Sequence, residues 1–150
     1  MIVSTLLFLR KTDQILLAMK KRGVGEGKWN GIGGKVVAGE TIEAATVREC
    51  QEEIGVTPTD LVKVAELEFF IPHLDYHTLV HTFSTASWEG EPTETEEMAP
   101  QWSKIDAIPY NRMWSDDRLW LPKVLAGEKI KGYFEFDEHE RVTKSSIEEL

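Results

Sequence analysis

The sequence predicts an α/β layered domain, and three observations predict it. Short apolar runs of strand length recur along the chain. One glycine-dense loop leads into a helical pattern with an apolar stripe and a charged arc. A second helical stretch lies nearer the C-terminus, with strand-like sequence on both sides. The 150 residues favour one domain, residues 1–150. A chain of this size buries roughly 68–70% of the surface its unfolded form exposes, enough for a core.

Val3 to Leu9 and Gln14 to Lys20 are apolar runs separated by Arg10-Lys11-Thr12-Asp13, which predicts a strand–turn–strand unit. Lys21 to Gly34 follows as a loop holding six of the 11 glycines, a density suited to sharply bent backbone or close approach to a ligand. From Thr41 to Ile54 the pattern is helical, stopped by Gly55 and Pro58. Leu61 to Ile71 and Tyr76 to Ser84 read as strands on either side of Pro72. Glu89 to Pro100 is acidic and turn-rich, as an exposed loop would be, and Gln101 to Ile105 predicts a short strand. A helix is expected to begin near Trp114-Ser115-Asp116-Asp117, capped by Ser115 or Asp116; Pro122 inside it implies either a kink or a different start. Gly132 to Phe136 alternates like a final strand. No internal repeat, low-complexity tract or linker divides the chain.

Composition narrows the function. Residues are 41% hydrophobic and 29% charged, as in ordinary globular proteins. A net charge of −9 and a pI near 5.0 argue against a nucleic-acid polymer as partner, since such binding relies on clustered Lys and Arg. One cysteine excludes a disulfide framework and a multi-cysteine zinc site. Leu6-Leu7-Phe8-Leu9 is far too short to span a membrane, and with no basic leader or small-residue cleavage site before it a secretory signal is not expected. A cytoplasmic protein without membrane contact is expected. If so acidic a chain binds a phosphate compound, a local basic and glycine-rich loop or a bound Mg²⁺ must hold it.

On a wheel of 100° per residue, Val47, Cys50 and Ile54 fall within roughly 60° and predict the core-facing stripe. Glu49, Glu52 and Glu53 share an arc of roughly 100° on the far side, with Ala45 one turn earlier leaving open space above it. Arg48 stands four residues before Glu52, placed to brace it. Three carboxylates on one arc repel each other. A hard divalent cation would relieve that repulsion, whereas a merely solvated acidic face would leave it to water. Spacing alone leaves both readings open.

The wider pattern is more specific. Gly34, five residues, Glu40, seven residues, then Arg48-Glu49-Cys50-Gln51-Glu52-Glu53-Ile54-Gly55-Val56 spans 23 residues. It resembles the signature of the Nudix hydrolases at every fixed polar and glycine position. Cys50 departs from the usual larger aliphatic residue and is expected to affect packing only. Competing phosphate motifs fail: Gly34-Lys35 is followed by Val36 rather than Ser or Thr, and Gly31-Ile32-Gly33 lacks a third spaced glycine. His73, His77 and His81 repeat every four residues, but in strand-like sequence where that spacing builds no ligand set.

The resemblance implies the Nudix fold, an α/β/α sandwich with a central mixed sheet, and hydrolysis of a nucleoside diphosphate derivative with Mg²⁺, or Mn²⁺ in its place. It implies Glu49, Glu52 and Glu53 as metal ligands, with the Gly34 carbonyl and Glu97 as further oxygen donors. Arg48 would orient the carboxylates, Glu40 would support them, and Glu53 would be the general base. The likeness extends to Met19-Lys20-Lys21-Arg22-Gly23, Trp29-Asn30-Gly31, Gly33-Gly34-Lys35-Val36, Trp114-Ser115-Asp116-Asp117, Trp120 and Gly132-Tyr133-Phe134. These resemble the family's members that convert oxidised purine nucleoside triphosphates, such as 8-oxo-dGTP or 2-hydroxy-dATP, to monophosphate and pyrophosphate. The implied partner is a small nucleotide, and a monomer is expected. Cleavage of ADP-ribose or a dinucleoside polyphosphate, and nucleotide binding without catalysis, are the alternatives.

A purine needs an aromatic face and polar groups for its edge. Trp114 offers the face, and the Asn30 amide both donates and accepts. Asp116 and Asp117, if partly buried, would not both ionise, and one would become a donor; the helix start opposes this by favouring carboxylate charge. Without the family resemblance, simple helix capping is the plainer role for that pair; the resemblance implies substrate-binding roles for Asn30, Trp114, Asp116 and Asp117. Thr5, Phe69 and Trp120 are expected in the pocket wall, and Lys20 near the triphosphate. Val24 and Phe70-Ile71 depart from the animal members of the family.

Overall fold

Strand formation follows the apolar runs, and the alternation within each run decides which layer it joins. The computed structural model describes residues 1–150. Ile2–Leu9 (β1) and Gln14–Lys20 (β2) form as predicted, but they do not make a hairpin: one bridge, Arg10 to Ile15, joins them before they diverge into different sheets. The expected glycine loop holds two short strands, Trp29–Asn30 (β3) and Ile32–Lys35 (β4). Ile42–Ile54 forms the first helix (α1), close to its predicted span. Thr41 Oγ1 accepts from the Ala44 N–H at 3.1 Å, and Gly55 ends the helix in the left-handed region at φ 72°.

Thr57–Thr59 (β5), Val62–Ile71 (β6), Tyr76–Thr85 (β7) and Ser87–Glu89 (β8) follow. Met98–Lys104 (β9) begins three residues before the predicted strand, shortening the acidic loop. The second helix (α2) covers Asp117–Leu125 and runs through Pro122. The missing proline N–H removes only the bond to the Arg118 carbonyl. Ile130–Phe136 (β10) is not the last strand, because Val142–Glu149 (β11) pairs with it antiparallel. This edge strand is mostly exposed, so it shows no buried alternation to read.

Six strands form a mixed sheet in the order β11-β10-β6-β7-β1-β4, with β1–β7 and β10–β6 parallel. A three-stranded sheet, β3-β2-β9, and a two-stranded one, β5-β8, complete the fold. Leu6 and Phe8 of β1 pack in one core with Trp120, Leu121 and Val124 of α2. Leu7 and Leu9 point the other way into a second core with Cys50 and Ile54 of α1. The two helices therefore cover opposite faces of the central sheet, the α/β/α layering expected. No helix is long and apolar enough to cross a membrane.

Candidate active site

Strand β4 joins the two parts of the site. Its glycines allow an approach that any side chain would block: a Cβ on Gly33 would lie 1.8 Å from the Thr5 carbonyl oxygen. A Cβ on Gly34 would lie 2.6 Å from Glu49 Cδ, so the Glu49 carboxylate rests directly on the Gly34 backbone. The helix face carrying Glu49 and Glu53 thus packs on β4, which corrects the wheel reading. Glu53 is 4% exposed rather than on an open far side, Ala45 is fully buried, and Val47 is only half-buried. The wheel found the shared arc. It could not show that two bare glycines would let a strand cover part of it.

Burial, and then the neighbouring Glu49, push the Glu53 carboxyl up to about 9; the Gly33 backbone amide opposes this and Glu97 adds a smaller push. Glu53 Oε2 is buried with no hydrogen-bond partner. The last turn of α1 is tied to the acidic loop: Thr95 Oγ1 donates to the Glu53 carbonyl at 2.8 Å, and the Thr93 N–H donates to that of Ile54 at 3.0 Å. That tie brings Glu97 toward Glu53. The Glu97 carboxylate itself is exposed, 3.7 Å from Arg22 Nη2.

Arg48 organises the rest. Its Nε and Nη2 donate to the two carboxylate oxygens of Glu40 at 3.0 and 2.7 Å. Its Nη1 donates to Glu49 at 2.9 Å and to Glu52 at 3.2 Å, and its Nη2 also reaches the Lys35 carbonyl at 3.1 Å. The guanidinium holds the Glu40 carboxyl below the usual carboxylate range. It also bridges Glu49 to Glu52 through Nη1, and the Glu52 side chain stays 58% exposed. No three acidic, histidine or cysteine side chains converge as a ready-made metal centre. What fits a hard cation is the chemistry of the pair: two adjacent acids, one with an unpartnered buried oxygen, beside the oxygen-bearing backbone of Gly34.

Gly34→Ala is expected to leave the fold intact, because the atom it meets ends a flexible side chain. It should displace Glu49 by about 1 Å and lower turnover by about 10²-fold. Circular dichroism and steady-state kinetics check both halves.

On the other side of β4 a cleft of about 220 Å³ opens. Thr5, Lys20, Asn30, Phe69, Trp114, Asp116, Asp117 and Trp120 all line it, as do Gly33 and Gly34. Residues scattered from 5 to 120 are thus brought to one place. Asn30 Oδ1 is engaged by the Gly31 N–H at 2.8 Å, so its amide hydrogens are the part free to act. Trp114 is half-buried, edge-on to Phe136 with centroids 5.8 Å apart. Phe69 stacks on Phe134, and Thr5 Oγ1 is buried without a partner. Trp120 is fully buried and acts through Asp116: its Nε1 donates to Asp116 Oδ2 at 2.7 Å. Ile71 lines the cleft, whereas Phe70 packs by His77 instead. The departure at Phe70 therefore falls outside the pocket. His77 meets Glu68 and His81 meets Lys63, as surface pairs rather than a metal site.

Asp116 and Asp117 are each 2% exposed. Asp116 precedes α2 but makes no side-chain capping bond, and Asp117 Oδ2 has no partner, so capping does not explain the pair. Burial pushes Asp116 up to about 6 against the Trp120 bond; burial and then the Asp116 charge push Asp117 well above the usual range. Desolvation outweighs the helix start. Both folded-state pKa values lie above that of the unfolded chain, near 3.8, so the folded protein holds the extra protons as the unfolded chain loses them. Their contribution to stability is complete below about pH 4 and declines as pH rises through about 6. Asp117→Asn should flatten that decline, so the melting-temperature difference from wild type grows between pH 4 and 8 by calorimetry.

The structure adds Lys28, Tyr76, Met98 and Phe136 to the cleft. Lys28 lay in the glycine loop beside Trp29-Asn30, which was its only signal. Met98 fell in the supposed acidic loop, and Phe136 and Tyr76 read as ordinary strand residues.

The geometry has relatives. A family model described as the NUDIX domain matches residues 2–124. The chain is 46% identical over 147 residues to the oxidized purine nucleoside triphosphate hydrolase of Danio rerio, covering 97% of this chain and 94% of that one. It is 42% identical over 146 residues to the protein of the same description from Mus musculus, again covering 97% and 94%. A solved structure of a MutT mutator protein from Bacillus halodurans superposes with a TM-score of 0.86 at 25% identity, covering 99% of this chain and 98% of that one.

Proposed function

Because the chain belongs to the NUDIX family, we propose that it hydrolyses oxidised purine nucleoside triphosphates, 8-oxo-dGTP first among them, to the monophosphate and pyrophosphate. The carrying observation is the junction at β4. A purine-sized cleft, floored by Asp116 and Asp117 and walled by Trp114, shares Gly33 and Gly34 with the Glu49–Glu53 pair. A base in the cleft would lead its triphosphate across these glycines toward the carboxylates.

Trp114 stacks on the purine, and the Asn30 amide donates to its edge. The Asp pair, sharing protons at neutral pH, presents both a donor and an acceptor, so it reads 8-oxo-dGTP and other oxidised purines such as 2-hydroxy-dATP alike. Phe69 and Thr5 close the wall, and Lys20 reaches toward the phosphate tail. Glu49, Glu53, Glu52 after rotation from Arg48, Glu97 and the Gly34 carbonyl would hold Mg²⁺, with Mn²⁺ a substitute. The cation supplies charge neutralisation and polarises the phosphate oxygens. Glu53 accepts the proton of the water that attacks phosphorus, and the bond from the α-phosphorus to the bridging oxygen breaks. Beside a cation its carboxylate form is favoured, reversing the effect of Glu49. Arg48 keeps Glu49 aimed while remaining tied to Glu40. The unit acting is residues 1–150, as a monomer on free nucleotides in the cytoplasm, where it would keep damaged bases out of DNA.

Turnover on 8-oxo-dGTP, 2-hydroxy-dATP, dGTP and ADP-ribose, with products identified, tests this reading. Preference for an oxidised purine triphosphate with pyrophosphate release supports it. Preference for ADP-ribose would overturn it.

A further inference from the structure

Three segments meet around Trp114: beside its edge-on packing with Phe136, polar contacts fasten them. Gly25, at φ 88°, brings its backbone against the indole, where a Cβ would lie 3.2 Å from Nε1. Lys28 Nζ stands 5.4 Å from the ring centroid and 3.0 Å from Glu140 Oε2. Ser115 Oγ, next along from the indole, donates to the Glu140 carbonyl at 2.9 Å. Glu140 thus holds both neighbours of the ring, one through its side chain and one through its backbone.

The turn between β10 and β11 is built to keep Glu140 there. Asp137 Oδ1 accepts from the His139 and Arg141 N–H groups at 2.8 and 3.0 Å, and the Asp137 N–H donates to the Arg141 carbonyl at 2.8 Å. Glu140 itself sits in the left-handed region at φ 61°, which a glutamate adopts only when its surroundings impose it. Beside the indole a second cavity of about 320 Å³ lies between these segments, bordered by Lys28, His73, Leu74 and Glu140. The ring therefore has room to swing away from the cleft.

We propose that the Lys28–Glu140 ion pair is a positioning device, holding the Trp114 indole as a stacking face so that the β10–β11 turn sets nucleobase affinity. The inference rests on the cleft being the purine site. A cation over an indole face also adds attraction that a neutral side chain lacks.

The variants are Glu140→Gln, Lys28→Met, the charge-keeping Lys28→Arg, and the double Glu140→Gln/Lys28→Met. Glu140→Gln should raise KM for 8-oxo-dGTP and Kd for the product 8-oxo-dGMP about three- to fivefold with kcat unchanged, the scale of a part-exposed ion pair. The double variant should be no worse than Lys28→Met alone, and Lys28→Arg should stay near wild type. In nucleotide-free protein, the Trp114 indole N–H resonance, assigned with Trp114→Phe, should move in Glu140→Gln. An unmoved resonance, additive losses, or a fall in kcat at constant KM would overturn the proposal. If the resonance moves but wild type binds no 8-oxo-dGMP, the positioning contact stands and the substrate reading falls.

Discussion

Glu53→Gln is expected to lower kcat by about 10³-fold while the protein stays folded. The glutamine keeps the volume and removes the buried carboxylate at the α1–β4 contact that carries an unpartnered oxygen. General-base catalysis alone contributes about 10²–10⁴-fold, and loss of a metal ligand adds to it. Folding should survive, because burial and Glu49 already favour the neutral form of Glu53 without metal. An amide at that position mimics the neutral form. Steady-state kinetics beside a thermal melt separate the two effects. Retained turnover would remove Glu53 from the mechanism.

Asp116→Asn and Asp117→Asn should strike selectivity rather than chemistry. Each replaces a carboxyl able to donate or accept with a side chain of fixed hydrogen-bonding pattern. A hydrogen bond involving a charged partner contributes about 1.5–3 kcal/mol, so preference for 8-oxo-dGTP over dGTP should fall by roughly 10–100-fold. Mg²⁺ affinity should hold, since both residues lie in the cleft rather than in the carboxylate cluster. The check is kcat/KM on both nucleotides together with calorimetric metal titration. Variants matching wild type on every base would exclude the pair from edge reading.

Much of this site was legible in the sequence because its spacing is local. Glu49, Glu52 and Glu53 share an arc by helical geometry alone, and Thr41 and Gly55 mark the helix ends. Most of the departures come from contacts made from far along the chain. Glu53 looked exposed because its own helix cannot reveal that Gly33 and Gly34 will press against it. By residue type alone the Asp pair reads as a cap, because its burial comes from the packing of the cleft and not from neighbouring letters; only the family resemblance pointed to the pocket. β1 and β2 looked like a hairpin because an alternating run does not say which sheet it will join. β11 went unseen because an exposed edge strand carries little apolar alternation.

The most direct measurement is the hydrolysis rate of 8-oxo-dGTP as metal-stripped protein is titrated with Mg²⁺. Turnover should be absent in chelator and rise saturably with added cation. Monophosphate and pyrophosphate should appear in equal amounts, and Glu53→Gln should show no comparable rise. Hydrolysis that proceeds unchanged in chelator would contradict this mechanism.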